Sequence, residues 1–244
     1  MNLSVIIPAK NEEKNIKKTL EEVYSYLSSK NISHEIIVAE NNSTDKTVEI
    51  VKSLMSSIPT LQLLELVVKT KKPSKGYAVK QGMLKARGNL RLFMDADNST
   101  TIDNIEKAMP YFEKGYSVVI GSIGLKEAKV AAGSEPFWRK LFGKSGNLFI
   151  QIVVLPGISD TQRGFKVFTA KATEDIFSKI TMYGWSFDVE ALALARRLGH
   201  KVKEMPINWD NDPYTVSHPR LLDYLRFLAE TVKIRWNLWT GKYN

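Results

Sequence analysis

The first half of this chain alternates short apolar runs with helix-period segments, and that alternation limits the fold more than any other feature. Residues 3–7 form an apolar run ended by Pro8, the pattern of a strand buried on both faces. Asn11 is placed to cap a following helix in which Ile16, Leu20, Val23 and Leu27 share one face. Further strands are predicted at 35–39, 61–68, 90–94 and 117–120, with helices at 47–54, 76–86 and 102–112 between them. Repeated βα units imply right-handed crossovers and a mostly parallel sheet, so the fold class is α/β. On such sheets ligands bind beyond the carboxyl ends of the strands.

After Gly121 the pattern loosens. Residues 123–136 lack a clear period and read as a mobile loop. An apolar-rich helix at 137–154, a strand at 164–168, a helix at 187–198 and a strand at 202–209 follow, then a polar loop at 211–217. The expected organisation is one domain over residues 1–218 with a helical extension over 219–244. A chain of 244 residues with 43% hydrophobic and 25% charged residues can bury a sizeable core. Having no cysteine, it excludes disulfides, zinc-thiolate sites and a cysteine nucleophile. The opening MNLSVIIPAK has no basic leader region and reads as a first strand, not a signal peptide. No apolar window reaches the length of a membrane-spanning helix.

The formal charge of +9 is unevenly placed: eight Lys or Arg and no acid lie between Lys69 and Arg91. Such a run is either a solvated face or a field for an anionic partner. No RNA- or DNA-binding signature accompanies it, which leaves phosphate ligands or an anionic membrane as partners.

Three polar clusters fall at predicted strand ends. Asp95-Ala96-Asp97 directly follows the apolar strand at 90–94. Two carboxylates there can share Mg²⁺ or Mn²⁺, which prefers oxygen ligands and neutralises a leaving diphosphate. Glu40-Asn41-Asn42-Ser43-Thr44-Asp45 offers a carboxylate for a base N–H and polar groups for a ribose, besides helix capping. In Ser74-Lys75-Gly76, Lys75 can meet a phosphate and Gly76 permits close backbone approach.

Together with these clusters, Val5-Ile6-Ile7-Pro8-Ala9-Lys10-Asn11-Glu12 resembles the opening of glycosyltransferase family 2. Asp160-Thr161-Gln162-Arg163-Gly164-Phe165-Lys166-Val167-Phe168 is similar to the "D-T-Q-C-G-F-K-L-F" of dolichyl-phosphate β-glucosyltransferases, and Trp185-Ser186-Phe187-Asp188-Val189-Glu190 to their "W-A-F-D-V-E". The resemblance runs from about residue 3 to residue 218. It implies a GT-A, Rossmann-like sheet with flanking helices and a metal-dependent, inverting transfer of a hexose from a nucleotide-diphosphate sugar to a polyprenyl phosphate, most simply glucose from UDP-glucose.

On that reading Pro8, Ala9, Asn11, Glu12, Glu40, Asn42, Lys75, Gly76 and Asp95 bind the donor, and Asp95 and Asp97 hold the metal. Asp97, Asp160, Gln162 and Arg139 are the catalytic candidates, with Asp160 and Gln162 orienting sugar and acceptor; a general base and a cap of the turn before the strand at 164–168 are the alternatives for Asp160. Trp185 and Asp188 are candidates to shape the sugar pocket. The sequence departs from the pattern at Lys10, where tyrosine is usual, and at Glu40-Asn41, where paired aspartates are usual. Gly121-Ser122-Ile123 stands where the pattern has "G-S-R", leaving Arg139, Lys126 or Lys140 to grip phosphate. Val216-Ser217-His218 stands where it has "G-S-K". A GDP-mannose-dependent dolichyl-phosphate mannose synthase remains an alternative, as does a non-catalytic nucleotide- or lipid-binding subunit.

The C-terminal extension offers a route to a lipid acceptor. Leu221, Leu225, Leu228, Val232, Trp236 and Trp239 fall near one helical face, with Arg226, Lys233 and Arg235 off it. Such a helix can lie in the headgroup plane; the expected location is peripheral, on the cytoplasmic face of a membrane. The helix at 137–154 is a second candidate contact.

Overall fold

The computed structural model describes residues 2–66, 74–130, 137–210 and 221–243, with backbone only at 137–142, 144 and 221. The strands are β1 (Leu3–Ala9), β2 (His34–Glu40), β3 (Leu61–Glu65), β4 (Leu90–Met94), β5 (Val118–Ser122), β6 (Lys129–Val130), β7 (Phe165–Thr169), β8 (Val202–Pro206) and β9 (Asn208–Trp209). The helices are α1 (Ile16–Ser29), α2 (Thr47–Leu54), α3 (Lys75–Lys85), α4 (Asn104–Glu113), α5 (Phe137–Val153), α6 (Ala170–Phe177), α7 (Phe187–Arg197) and α8 (Leu221–Trp239).

Seven strands form one sheet in the order β3-β2-β1-β4-β7-β5-β8. Pairing is parallel except for β7, which runs antiparallel to both β4 and β5. The apolar strand runs are explained by burial on both faces. Val5, Ile7, Val38, Leu92 and Val167 face Ile16 and Leu20 of α1, Val51 of α2 and Ile105 of α4. Ile6, Ile37, Phe93, Ile120 and Phe168 face α3, α6, α7 and α8. The antiparallel sense of β7 matters for function. It brings the start of that strand, and the Asp160–Gly164 segment before it, to the edge where β1, β2, β4 and β5 end.

Several expectations shift. Asn11 does not cap a helix: α1 starts at Ile16 behind Asn15, and Asn11 takes a left-handed backbone with φ 57°. The predicted strand at 202–209 is two strands, β8 in the main sheet and β9 paired with β6. The segment read as a loop at 123–136 contains β6; residues 131–136 lie outside the described residues. Helix α6 escaped the sequence reading; Thr169 caps it, its Oγ1 accepting from Ala172 N at 3.2 Å.

Helix α8 packs on α5 and α7. Phe227, Thr231 and Ile234 are buried on one side, while Leu225, Val232, Trp236 and Trp239 line the opposite side. Trp236 and Trp239 are 59% and 81% exposed, so the tryptophans are not packed against the sheet domain. Among the described residues no helix is long and apolar enough to cross a membrane.

Candidate active site

Two loops form the first part of the edge. Asn11 Oδ1 accepts from Thr44 N at 2.8 Å, and Asn11 N donates to Ser43 Oγ at 3.0 Å. Glu12 N donates to Thr47 Oγ1 at 2.8 Å and Glu13 N to Asp45 Oδ2 at 3.1 Å. The segment after Pro8 and Ala9 is thereby stitched to the segment after Glu40. Glu40 is buried and turns back on its own loop, accepting from Ser43 N. Asn41 N donates to Ala9 O at 2.9 Å, and its buried Oδ1 has no hydrogen-bond partner among the described residues. Asn42 holds a left-handed backbone, φ 65°, at the bend of the loop. The residues expected to cradle a nucleotide therefore do meet, and Asn11 acts as the tie between their loops.

The centre of the edge is charged. Lys75, the first residue of α3, places Nζ on Asp95 Oδ1. Burial alone would lower the Lys75 pKa, but the Asp95 and Asp188 carboxylates outweigh it and raise it. Asp97 is pushed above the usual carboxylate range, first by burial and then by the neighbouring Asp95 charge; a bond from Ser99 N, at 3.0 Å, offsets this only in part. Like charges crowded at a half-buried strand end are a site that favours an added cation. Among the described residues no third His, Cys, Asp or Glu joins them as a metal cluster. Two carboxylates without a closed cage fit Mg²⁺ or Mn²⁺ completed by waters and a diphosphate, and do not fit a structural metal.

Asp95 is positioned by Gly164, to which the sequence reading gave no role at the site. Its N–H donates to Gly164 O at 3.1 Å, and a Cβ on Gly164 would lie 2.0 Å from Asp95 Oδ2. Any larger residue there would force that carboxylate to move. Gly76 is similarly constrained: its N–H meets Tyr183 O at 3.1 Å, and a Cβ would lie 2.7 Å from Phe187 Cβ. That contact seats Lys75 against the start of α7.

Asp160 is brought to the edge, but its oxygens are engaged. Oδ1 accepts from Gln162 N at 3.0 Å; Oδ2 accepts from Ile123 N at 3.2 Å and from Arg163 Nε at 3.3 Å. It organises the turn before β7 and joins that turn to the end of β5. The Gln162 side chain reaches Thr161 Oγ1 at 3.3 Å. The Arg139 and Lys140 side chains, and Val216, Ser217 and His218, lie outside the described residues, and Lys126 is exposed on the loop after β5.

Beneath the site lies a buried ion pair. Lys166 Nζ sits 2.7 Å from Asp188 Oδ1, a charge contact rather than an aligned hydrogen bond, and 5.1 Å over the Phe93 ring. Asp188 is thus a partner of Lys166 in the floor; burial raises its pKa despite the Lys166 and Lys75 charges. A lysine within the apolar run Phe165–Phe168 was the available signal. Trp185 is exposed on the loop before α7. The basic run from Lys69 divides: Lys75 serves this edge, whereas Arg87 and Arg91 pair with Glu35 and Glu174 elsewhere. Lys69, Lys71 and Lys72 lie outside the described residues.

Paired carboxylates, a lysine and a double loop at the strand ends make an edge suited to a diphosphate and its cation. The chain belongs to glycosyl transferase family 2, whose family model matches residues 4–177. A dolichyl-phosphate beta-glucosyltransferase of Trichomonas vaginalis (ALG5A) is 37% identical over 218 residues, 85% of this chain and 65% of that protein. The dolichyl-phosphate beta-glucosyltransferase of Dictyostelium discoideum is 32% identical over 239 residues, 92% of this chain and 73% of that protein. Among solved structures, the mannosyl-3-phosphoglycerate synthase of Rubrobacter xylanophilus superposes with a TM-score of 0.69 at 16% identity, over 99% of this chain and 75% of that one. The glucosyl-3-phosphoglycerate synthase of Mycobacterium tuberculosis, in complex with Mn²⁺ and UDP-glucose, gives 0.64 at 19% identity, over 97% and 78%. These likenesses bear out the fold.

Proposed function

We propose that this enzyme transfers glucose from UDP-glucose to the phosphate of a polyprenyl phosphate, with inversion at the sugar. The reading is carried by the Lys75–Asp95–Asp97 cluster at the end of β4, taken with the names of the relatives. Asp95 and Asp97 would hold Mg²⁺ or Mn²⁺, which supplies positive charge to the departing diphosphate. Lys75 stands beside them as a fixed cation for the same group. The joined loops at Asn11–Glu12 and Glu40–Asn42 bind the nucleotide.

No general base is required. A phosphate monoester is largely a dianion near neutral pH, its second pKa being about 6. What remains for the protein is to align nucleophile and anomeric carbon and to stabilise the leaving group. Asp160, committed to Ile123, Gln162 and Arg163, serves alignment rather than proton transfer.

The acceptor is drawn from a bilayer by α8. Its outward stripe of Leu225, Val232, Trp236 and Trp239 is flanked by Arg226, Lys233 and Arg235, the arrangement of a helix in the headgroup plane. The enzyme then works peripherally, at the cytoplasmic face of a membrane. The test is to incubate the purified chain with polyprenyl phosphate in anionic vesicles, Mn²⁺ and a panel of labelled nucleotide sugars. A β-linked glucosyl phospholipid made from UDP-glucose is expected. Mannolipid from GDP-mannose, or a water-soluble glycoside as the only product, would overturn the assignment.

A further inference from the structure

We propose that the buried Lys166–Asp188 pair positions Asp95 and Lys75 from below, an inference that rests on the metal and diphosphate reading above. Lys166 lies within the apolar strand β7 and is wholly buried. Side chains alternate along a strand, so it shares a face with Phe168. Its ammonium reaches two elements at once: Nζ donates to Arg163 O at 2.5 Å and lies 2.7 Å from Asp188 Oδ1.

Both partners lead to the charged cluster. Arg163 is followed by Gly164, whose carbonyl accepts from Asp95 N at 3.1 Å and which packs directly on the Asp95 carboxylate. Asp188 follows Phe187, the first residue of α7, and Phe187 packs on Gly76, the neighbour of Lys75. Lys75 and Asp95 contact each other. A closed ring results, running from Lys166 through the Arg163–Gly164 turn to Asp95, across to Lys75 and Gly76, and back through Phe187 and Asp188.

Stability is a poor reason to keep two charges there. Burying an ion pair removes the hydration of both ions, and apolar side chains of similar volume are often neutral or stabilising in its place. The surroundings suit such a replacement, since Phe93, Phe168 and Phe187 are all buried beside the pair. Asp188 Oδ1 has no aligned hydrogen bond among the described residues, so the pair is not arranged for the strongest contact. What the ammonium does supply is a directed hold on a carbonyl and a carboxylate from two different elements. Groups behind a metal ligand fix its orientation in this way. With Lys166 and Asp188 0% and 4% exposed, neither meets a ligand, and both act through Asp95 and Lys75 as positioning residues.

The test follows free Mn²⁺ by electron paramagnetic resonance as the whole chain is titrated in the presence of UDP, with thermal melting measured alongside. Lys166→Met combined with Asp188→Leu removes both charges at similar volume, and its melting temperature is expected at or above wild type. Its Mn²⁺ affinity should nevertheless fall by about tenfold or more, as when a group that orients a metal ligand is lost. Lys166→Gln combined with Asp188→Asn also removes the charges but keeps polar groups, and carries the test should the apolar pair fail to fold; weakening of the same order is expected. Mn²⁺ affinity equal to wild type in either folded double variant overturns the positioning role while leaving the metal and diphosphate reading standing. Failure of wild type itself to take up Mn²⁺ with UDP overturns that reading, and this inference with it.

Discussion

The two edges of the main sheet carry the same kinds of residue in opposite states. Near the amino edge, Glu35 is buried yet accepts from Ser4 Oγ at 2.7 Å, Gln62 Nε2 at 2.8 Å and Arg87 N at 2.7 Å. Burial alone would raise its pKa, but those bonds and the Arg87 charge outweigh it and lower it. Near the carboxyl edge, burial and Asp95 raise the Asp97 pKa, and nearby donors do not compensate. The first carboxylate has its charge favoured by its bonds and works for stability; the second has its charge disfavoured by burial and by Asp95, which an added cation would relieve. Such contrasts separate structural ion pairs from sites, although buried charge appears in both.

The contrast breaks most directly at Asp95 and Asp97. Asp95→Asn and Asp97→Asn should each lower transfer by about 10²–10³-fold, with melting temperatures at or near wild type. A folded variant with full activity, or full activity in EDTA, would remove the metal-assisted mechanism.

Gly164→Ala tests whether the edge depends on geometry as well as charge. The added Cβ would fall 2.0 Å from Asp95 Oδ2, so the carboxylate must move. A displacement of that order should cost on the order of 10²-fold in kcat. Unchanged kcat in steady-state assays would show that Asp95 tolerates displacement.

A smaller effect is expected at α8. Replacing Trp236 and Trp239 with serine removes interfacial apolar area and should reduce binding to anionic vesicles by roughly tenfold. Activity on a short soluble acceptor should be retained. Vesicle sedimentation equal to wild type would contradict the membrane role.

The least change in turnover belongs to Glu35→Gln, which should instead lower stability by about 1–3 kcal/mol at neutral pH. The folded pKa of Glu35 lies below its unfolded value near 4.5. Its contribution is therefore complete above that value and is lost as pH falls through the folded pKa. Denaturation of wild type and variant should accordingly converge on acidification below pH 4.5.

Much of the first half was legible because a strand buried on both faces and an amphipathic helix have distinct periods. The strand at 3–7 and the helix carrying Ile16, Leu20, Val23 and Leu27 are read from their apolar positions alone, although β1 runs on through Pro8 to Ala9 and α1 starts later than a cap at Asn11 would place it. The direction of β7 was not legible, since strand sense leaves no trace in its apolar pattern, and repeated βα units favour a parallel partner. Helix α6, only eight residues long, gives too few turns for a periodic signal. At the site, the carboxylates of Asp95 and Asp97 declared themselves by position after an apolar strand. The engagement of Asp160 by Ile123 and Arg163 did not, because the two sit 37 and 3 residues away and only folding brings the former near. Gly164 was visible only as part of a resemblance; its reason, contact with Asp95, is purely tertiary.

The contrast between the two edges is tested most directly by following free Mn²⁺ with electron paramagnetic resonance as UDP is added to wild type, Asp97→Asn and Glu35→Gln. The account predicts that UDP and wild type together remove Mn²⁺ from solution, that Glu35→Gln does the same, and that Asp97→Asn does not. Retention of Mn²⁺–UDP binding by folded Asp97→Asn would contradict it.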